Sequence, residues 1–121
     1  MNVSSVGIIT RMFAFGTYAA TKSFNHTFSH VMQKEVGNLL DILTVCPGPT
    51  LSNIVKTKAA PIVITADEHA IATISKLGHE SETFGHWKHT FVPKIVYSLP
   101  NFIINAYEAK VRKVFLSQKE E

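Results

Sequence analysis

The chain has 121 residues, a formal net charge of +3, 45% hydrophobic residues and a single cysteine, Cys46. That is one domain's length with apolar material for a modest core, no basic stripe of the kind that binds nucleic acid, and no second thiol for an internal disulfide. No run of about 18 apolar residues and no charged leader ahead of an apolar core occur, so neither a spanning helix nor secretion is expected.

Residues 1 to 5 are β-tolerant and lead to Gly7, the pattern of a strand end entering a loop. From about Thr17 to Val36 the pattern is helical. Ala20, Phe24, Phe28, Val31 and Met32 recur at three and four and are expected against a core; Tyr18, Lys22, Asn25 and Ser29 form a polar stripe toward a cleft or solvent. Gly37-Asn38 stops the helix. Ile42 to Cys46 is an apolar run closed by Pro47-Gly48-Pro49, which suits a central strand buried on both sides.

A helix between two such strands makes a right-handed β-α-β unit with parallel strands. Ser5 and Pro47 are then expected on one edge of the sheet. Residues 51 to 64 are irregular and flanked by Pro49 and Pro61, the profile of a loop covering a site. Thr65-Ala-Asp-Glu68 is a capping box opening a helix through Ile71, Ile74 and Leu77 to Gly78. Residues 79 to 90 are polar and rich in His, and residues 91 to 107 are apolar, broken by Lys94 and Pro100. A last amphipathic helix, about Asn101 to Leu116, sets Phe102, Ala106, Val111, Val114 and Phe115 against Glu108, Lys110, Arg112 and Lys113. Segment 91–116 suits either a membrane surface or packing on protein or on a partner subunit.

Tyr18 and Lys22 are one helical turn apart, so they are neighbours on the polar stripe. A free phenol ionises near pH 10, and bringing a phenol into use near pH 7 takes roughly 4 kcal/mol of preferential stabilisation of the phenolate. A neighbouring ammonium supplies part of that. A phenol so tuned exchanges a proton with a carbonyl or alcohol oxygen while hydride moves at carbon, and a hydroxyl such as Ser5 can hold that oxygen. His26 and His30, four apart, and His86 and His89, three apart, have no third ligand placed beside them in the sequence. They are read as solvated or hydrogen-bonded, and no metal is expected.

The ordered set of Asn2-Val-Ser-Ser5, thirteen residues to Tyr18, four more to Lys22, Phe24 and Glu35 on the same helix, then an apolar strand into Pro47-Gly48-Pro49-Thr50, resembles the C-terminal half of the short-chain dehydrogenase/reductase family. Gly78, Thr83-Phe-Gly-His-Trp-Lys-His89 and Leu99-Pro100 resemble the tail of one branch, the 17β-hydroxysteroid dehydrogenase and very-long-chain 3-oxoacyl-CoA reductase group.

The resemblance implies an α/β fold: the C-terminal part of a Rossmann-type, doubly wound parallel sheet, without its N-terminal nucleotide-binding half. Residues 1–50 would be the catalytic β-α-β unit, 51–64 the substrate cover and 65–121 a helical part. It implies Tyr18 as catalytic acid/base, Lys22 as the group that favours its phenolate and bonds the nicotinamide ribose, and Ser5 as the group that orients the substrate carbonyl. Pro47 and Gly48 would border the nicotinamide and Thr50 would reach its carboxamide or a phosphate. The implied cofactor is NAD(P)(H), NADPH ahead of NADH, and the substrate a hydrophobic ketone or alcohol of steroid or 3-oxoacyl-CoA type.

The family's glycine-rich turn, cofactor-selecting residue, Asn-Ala-Gly segment and catalytic Asn have no counterpart in the chain and would precede Met1. A glycine-rich turn at a helix N-terminus is what holds the pyrophosphate. The competing expectation is therefore a non-catalytic remnant or a homodimerisation module, since the Tyr-bearing helix commonly forms the family's dimer interface. By the same resemblance the protein would associate with the endoplasmic reticulum membrane, and otherwise be cytoplasmic.

Overall fold

A computed structural model describes residues 1–10, 15–53 and 61–117. Its sheet is built from β1 (Asn2–Val3), β2 (Thr44–Val45) and β3 (Glu82–Thr83). The three strands are parallel in the order β1-β2-β3, with Asn2 opposite Thr44 and Thr44 opposite Glu82. Leu43, Thr44, Val45 and Cys46 are all buried, as expected of a central strand covered on both faces. Ser4 N–H donates to Val45 O at 2.7 Å, Cys46 N–H to Thr83 O at 2.8 Å and Val6 N–H to Pro47 O at 3.0 Å. Pairing therefore continues past the named strands and holds Ser5 and Pro47 together at the C-terminal edge.

Five helices accompany this sheet among the described residues: α1 (Gly7–Thr10), α2 (Gly16–Val36), α3 (Ala66–Ile74), α4 (Trp87–Ser98) and α5 (Asn101–Ser117). Parallel strands with intervening helices make the chain an α/β protein. β3 and α4 were not anticipated. β3 is two residues long in a polar stretch, too short for a periodic signal. α4 carries Pro93 in its interior and is capped by His86, whose Nδ1 accepts from Lys88 N–H at 3.2 Å. Proline in a helix interior removes a backbone bond and argues against helix in a sequence reading, yet here Pro93 is buried by the surrounding fold. Segment 65–121 thus contains a sheet strand as well as helices.

The larger correction concerns α2, which was expected to turn its apolar stripe to the core. Phe24 is 68% exposed, and Phe28 and Val31 are also exposed, whereas Ser29 is 0% exposed. The polar stripe faces the sheet because the sheet offers it polar partners. Asn2 Nδ2 donates to Ser29 Oγ at 2.8 Å, Ser29 Oγ donates to Asn25 O at 2.7 Å, and Ser4 Oγ donates to Lys22 O at 2.7 Å. Alternation along the strands puts Asn2, Ser4, Thr44, Cys46 and Glu82 on the α2 side of the sheet. A layer of hydrogen bonds, not of methyl groups, joins helix to sheet.

The Thr65/Glu68 capping box forms as expected, and α3 relaxes through one looser turn before Gly78, whose φ of 79° is left-handed. Ile71, Ile74 and Leu77 on this helix are nevertheless exposed. The ends of the predicted cover loop are pinned together, Leu51 N–H donating to Ile64 O at 2.8 Å; its residues 54–60 lie outside the described residues. On α5, Phe102, Ala106 and Tyr107 are exposed, so this face is not packed on the chain's own core. The side chains of Val111, Lys113, Val114 and Phe115 are outside the described set. Among the described residues no helix is long and apolar enough to cross a membrane.

Candidate active site

Ser5 follows β1, and its neighbour Ser4 points to the opposite face. The two hydroxyls differ in what they touch. Ser4 is consumed at the helix interface by the Lys22 carbonyl, whereas Ser5 Oγ accepts from Gly7 N–H at 3.0 Å just past the end of β1. A Cβ added to Gly7 would sit 3.2 Å from Ser5 Oγ and 3.3 Å from Tyr18 Cε1, so the hydroxyl and the phenol ring converge on one point. Gly7 leaves that point open. Tyr18, 42% exposed, is in the first turn of α2, and Phe15 packs edge-on against its ring at 5.9 Å between centroids.

Lys22, one turn on, places Nζ 5.9 Å from the Tyr18 ring centroid and donates to Val3 O at 3.1 Å. Asn25 Nδ2 reaches the same carbonyl at 3.4 Å. An ammonium has three donors, so tethering to Val3 fixes Lys22 without exhausting it. Ser5, Tyr18 and Lys22 are therefore brought together around the C-terminal end of β1. A hydroxyl, a phenol and an ammonium in this order can hold a carbonyl oxygen, pass it a proton and favour the phenolate left behind.

The Pro47–Thr50 segment lies at the same sheet edge and is held by His89, which the sequence reading took as solvated or hydrogen-bonded and which is hydrogen-bonded at both ring nitrogens. His89, 0% exposed, accepts from Gly48 N–H at Nδ1 over 3.1 Å, and its Nε2 is 3.2 Å from both Pro49 O and Ile62 O. Since Nδ1 accepts, Nε2 carries the hydrogen and the ring is neutral. Burial pushes the His89 imidazole below its ordinary value of 6.5, outweighing the Pro49 carbonyl that favours the charged form. A Cβ on Gly48 would lie 2.7 Å from His89 Cδ2. Gly48 thus has a packing reason independent of any cofactor, and Thr50 Oγ1 is turned back on Gly48 O at 3.2 Å. Sequence could not pair positions 48 and 89, which lie 41 residues apart on different elements.

The His26/His30 pair is hydrogen-bonded, as the sequence reading allowed, but its partner is remote in the chain. Glu82 of β3 bridges the two rings, Nε2 of His26 lying 3.1 Å from Oε1 and Nε2 of His30 2.9 Å from Oε2. The acidic group missing from the local sequence arrives from 52 and 56 residues away.

The chain is 26% identical over 109 residues to a curated protein of Caenorhabditis elegans named "Putative steroid dehydrogenase 4". The match takes in 88% of this chain and 41% of that relative, so the chain spans well under half of the relative's length. No protein-family model matches the chain. No solved structure matches it.

Proposed function

We propose that this chain is the acid/base portion of an NAD(P)-dependent oxidoreductase of the short-chain dehydrogenase/reductase type, interconverting a hydrophobic ketone and its alcohol. The observation that carries this reading is the convergence of Ser5 Oγ and the Tyr18 ring on the open space at Gly7, with the Lys22 ammonium 5.9 Å from that ring. The likeness to a protein named as a steroid dehydrogenase supports a steroid-like substrate, and a long 3-oxoacyl thioester is the alternative.

In reduction, Ser5 donates a hydrogen bond to the carbonyl oxygen and Tyr18 gives that oxygen its proton. Lys22, held by Val3 O, stabilises the resulting phenolate. The nicotinamide, when bound, supplies or accepts the hydride. Lys22 has donors left for a ribose hydroxyl, and the backbone of Pro47 and Gly48 borders the same edge, so the nicotinamide end has partners of suitable chemistry. The pyrophosphate end has none in this chain's glycine pattern, and NADPH is the cofactor proposed ahead of NADH.

Turnover of a hydrophobic ketone by the full-length protein, followed at the reduced-nicotinamide absorbance, tests this reading. Tyr18→Phe is expected to lower kcat by at least about 10²-fold, the scale of one acid/base group, with cofactor affinity nearly unchanged. Lys22→Met is expected to lower kcat and weaken the cofactor together. Normal turnover by Tyr18→Phe would overturn the assignment.

A second reading is favoured by the outward apolar face of α2, where Phe24 and Phe28 stack at 5.9 Å between centroids while both remain exposed. On that reading the chain is a non-catalytic homodimerisation module. Titration of the purified chain with NADPH separates the two: micromolar binding excludes the module as the whole role, and no binding at millimolar cofactor excludes an autonomous enzyme.

A further inference from the structure

We propose that His26, Glu82 and Cys46 form a three-ligand binding site for a divalent transition-metal ion, zinc by preference, with the fourth position open to water. Three elements contribute. His26 and His30 stand one turn apart on α2 with ring centroids 4.6 Å apart, Glu82 lies on β3, and Cys46 ends the central strand. The ligating atoms of His26, Cys46 and Glu82 all lie within 4.8 Å of one another. Both histidines direct Nε2 at the same carboxylate, at 3.1 and 2.9 Å.

Nitrogen, carboxylate oxygen and thiolate sulfur are the donor set of zinc, with bonds of about 2.0–2.3 Å and hence ligand-to-ligand edges of roughly 3.3–3.6 Å in a tetrahedron. The His26–Glu82 edge is already near that length. Closing the site asks for an inward shift of at most about 1.5 Å at the widest edge. Charge favours it as well: one thiolate and one carboxylate balance a dication, so the filled site is neutral beside a buried strand.

Without an ion, the carboxylate can only accept, so both Nε2 atoms carry hydrogen and donate to it. Binding moves the hydrogen of the coordinating His26 ring to Nδ1 and releases the Cys46 thiol proton to solvent. Burial, and after it the Glu82 carboxylate, push the free thiol up to about 11. A metal ion beside the thiol reverses that bias. Entry is from the rim between α2 and β3, where the His26 and Glu82 side chains are 25% and 35% exposed. Cys46 forms the floor, since it is fully buried.

The ion would clamp α2 to the sheet one turn beyond Lys22, which is a structural role independent of the reductase reading. Cobalt is the probe, because its spectrum reports both geometry and sulfur. Titrating the full chain with Co²⁺ is expected to give 1:1 binding, the intense visible bands of a four-coordinate ion and a near-ultraviolet thiolate-to-cobalt band. The chain has one cysteine, so that band can come only from Cys46. Zn²⁺ should displace the cobalt and raise Tm by about 10 °C at hundredfold excess over Kd. Glu82→Gln and His26→Gln are each expected to weaken binding at least about tenfold, the scale of losing a metal-site partner. His79→Gln, at an exposed histidine, is the control and should bind as the parent does. Absence of the thiolate band in excess Co²⁺, or a band of octahedral weakness, overturns the proposal even if every variant fails to fold. So does equal affinity in a folded Glu82→Gln chain.

Discussion

His89 carries more of the site's geometry than its place in the sequence suggests, because its two ring nitrogens tie the backbone of 48, 49 and 62 together. Gly48→Ala drives a methyl group to 2.7 Å from a ring that is completely enclosed. Overpacking of that kind costs about 1–3 kcal/mol, so urea denaturation should show a lower midpoint with an unchanged slope. Protonation acts at the same place. Burial lowers both His89 and His69 below 6.5, so the unfolded chain binds more protons than the folded one in the window just below that value. Their contribution is complete above pH 6.5 and is lost as pH falls from there toward the lowered folded values. Tm is accordingly expected to fall as pH drops from 7 to 5, and His89→Gln should flatten part of that slope. Ser5, Tyr18 and Lys22 were legible as a group at this scale through the family pattern they resemble, and the fold brings the three together at the end of β1. His89's role was not, because it depends on contacts between residues 27 to 41 positions apart.

Among the elements, α2 shows where periodicity informs and where it misleads. A pattern with period 3.6 identifies a helix and its two faces, but it assigns the apolar face to the core only if the opposing surface is apolar. Here β1 presents Asn2 and Ser4, β2 presents Thr44 and Cys46, and β3 presents Glu82, so the polar stripe is the one that docks. Ser29→Ala tests this inversion. It strips the acceptor from Asn2 Nδ2 in a buried layer, at a cost of about 1–3 kcal/mol. A Ser on a solvent-facing stripe would show a change within about 0.5 kcal/mol. Chemical denaturation of the variant decides between them. The unexpected elements have equally local reasons: β3 is a two-residue strand whose partner is remote, and α4 keeps a proline that intrinsic propensity would reject.

Over the molecule as a whole, the apolar surfaces exceed what the chain can bury by itself. Leu43, Val45, Cys46 and Ile64 are enclosed beside the sheet, while Phe24, Phe28 and Val31 on α2, Ile71 and Ile74 on α3, and Phe102 and Tyr107 on α5 stand in solvent. Contiguous exposed apolar faces of this kind mark interaction surfaces more often than they mark stable monomer surface. On the α2 face Phe24 and Phe28 are stacked nearly parallel at 12° between planes. If a second copy covers it, sedimentation of the purified chain should show a concentration-dependent dimer, and Phe24→Asp with Phe28→Lys should shift it to monomer. The polar interface of α2 with the sheet is on the opposite side of the helix, so the same double variant should leave the unfolding free energy of the monomer within about 0.5 kcal/mol of the parent. A monomeric parent chain would leave this face to a partner of another kind. A dimer that survives both substitutions would move the contact to α3 or α5, and with it the argument that the Tyr18 helix holds two copies together.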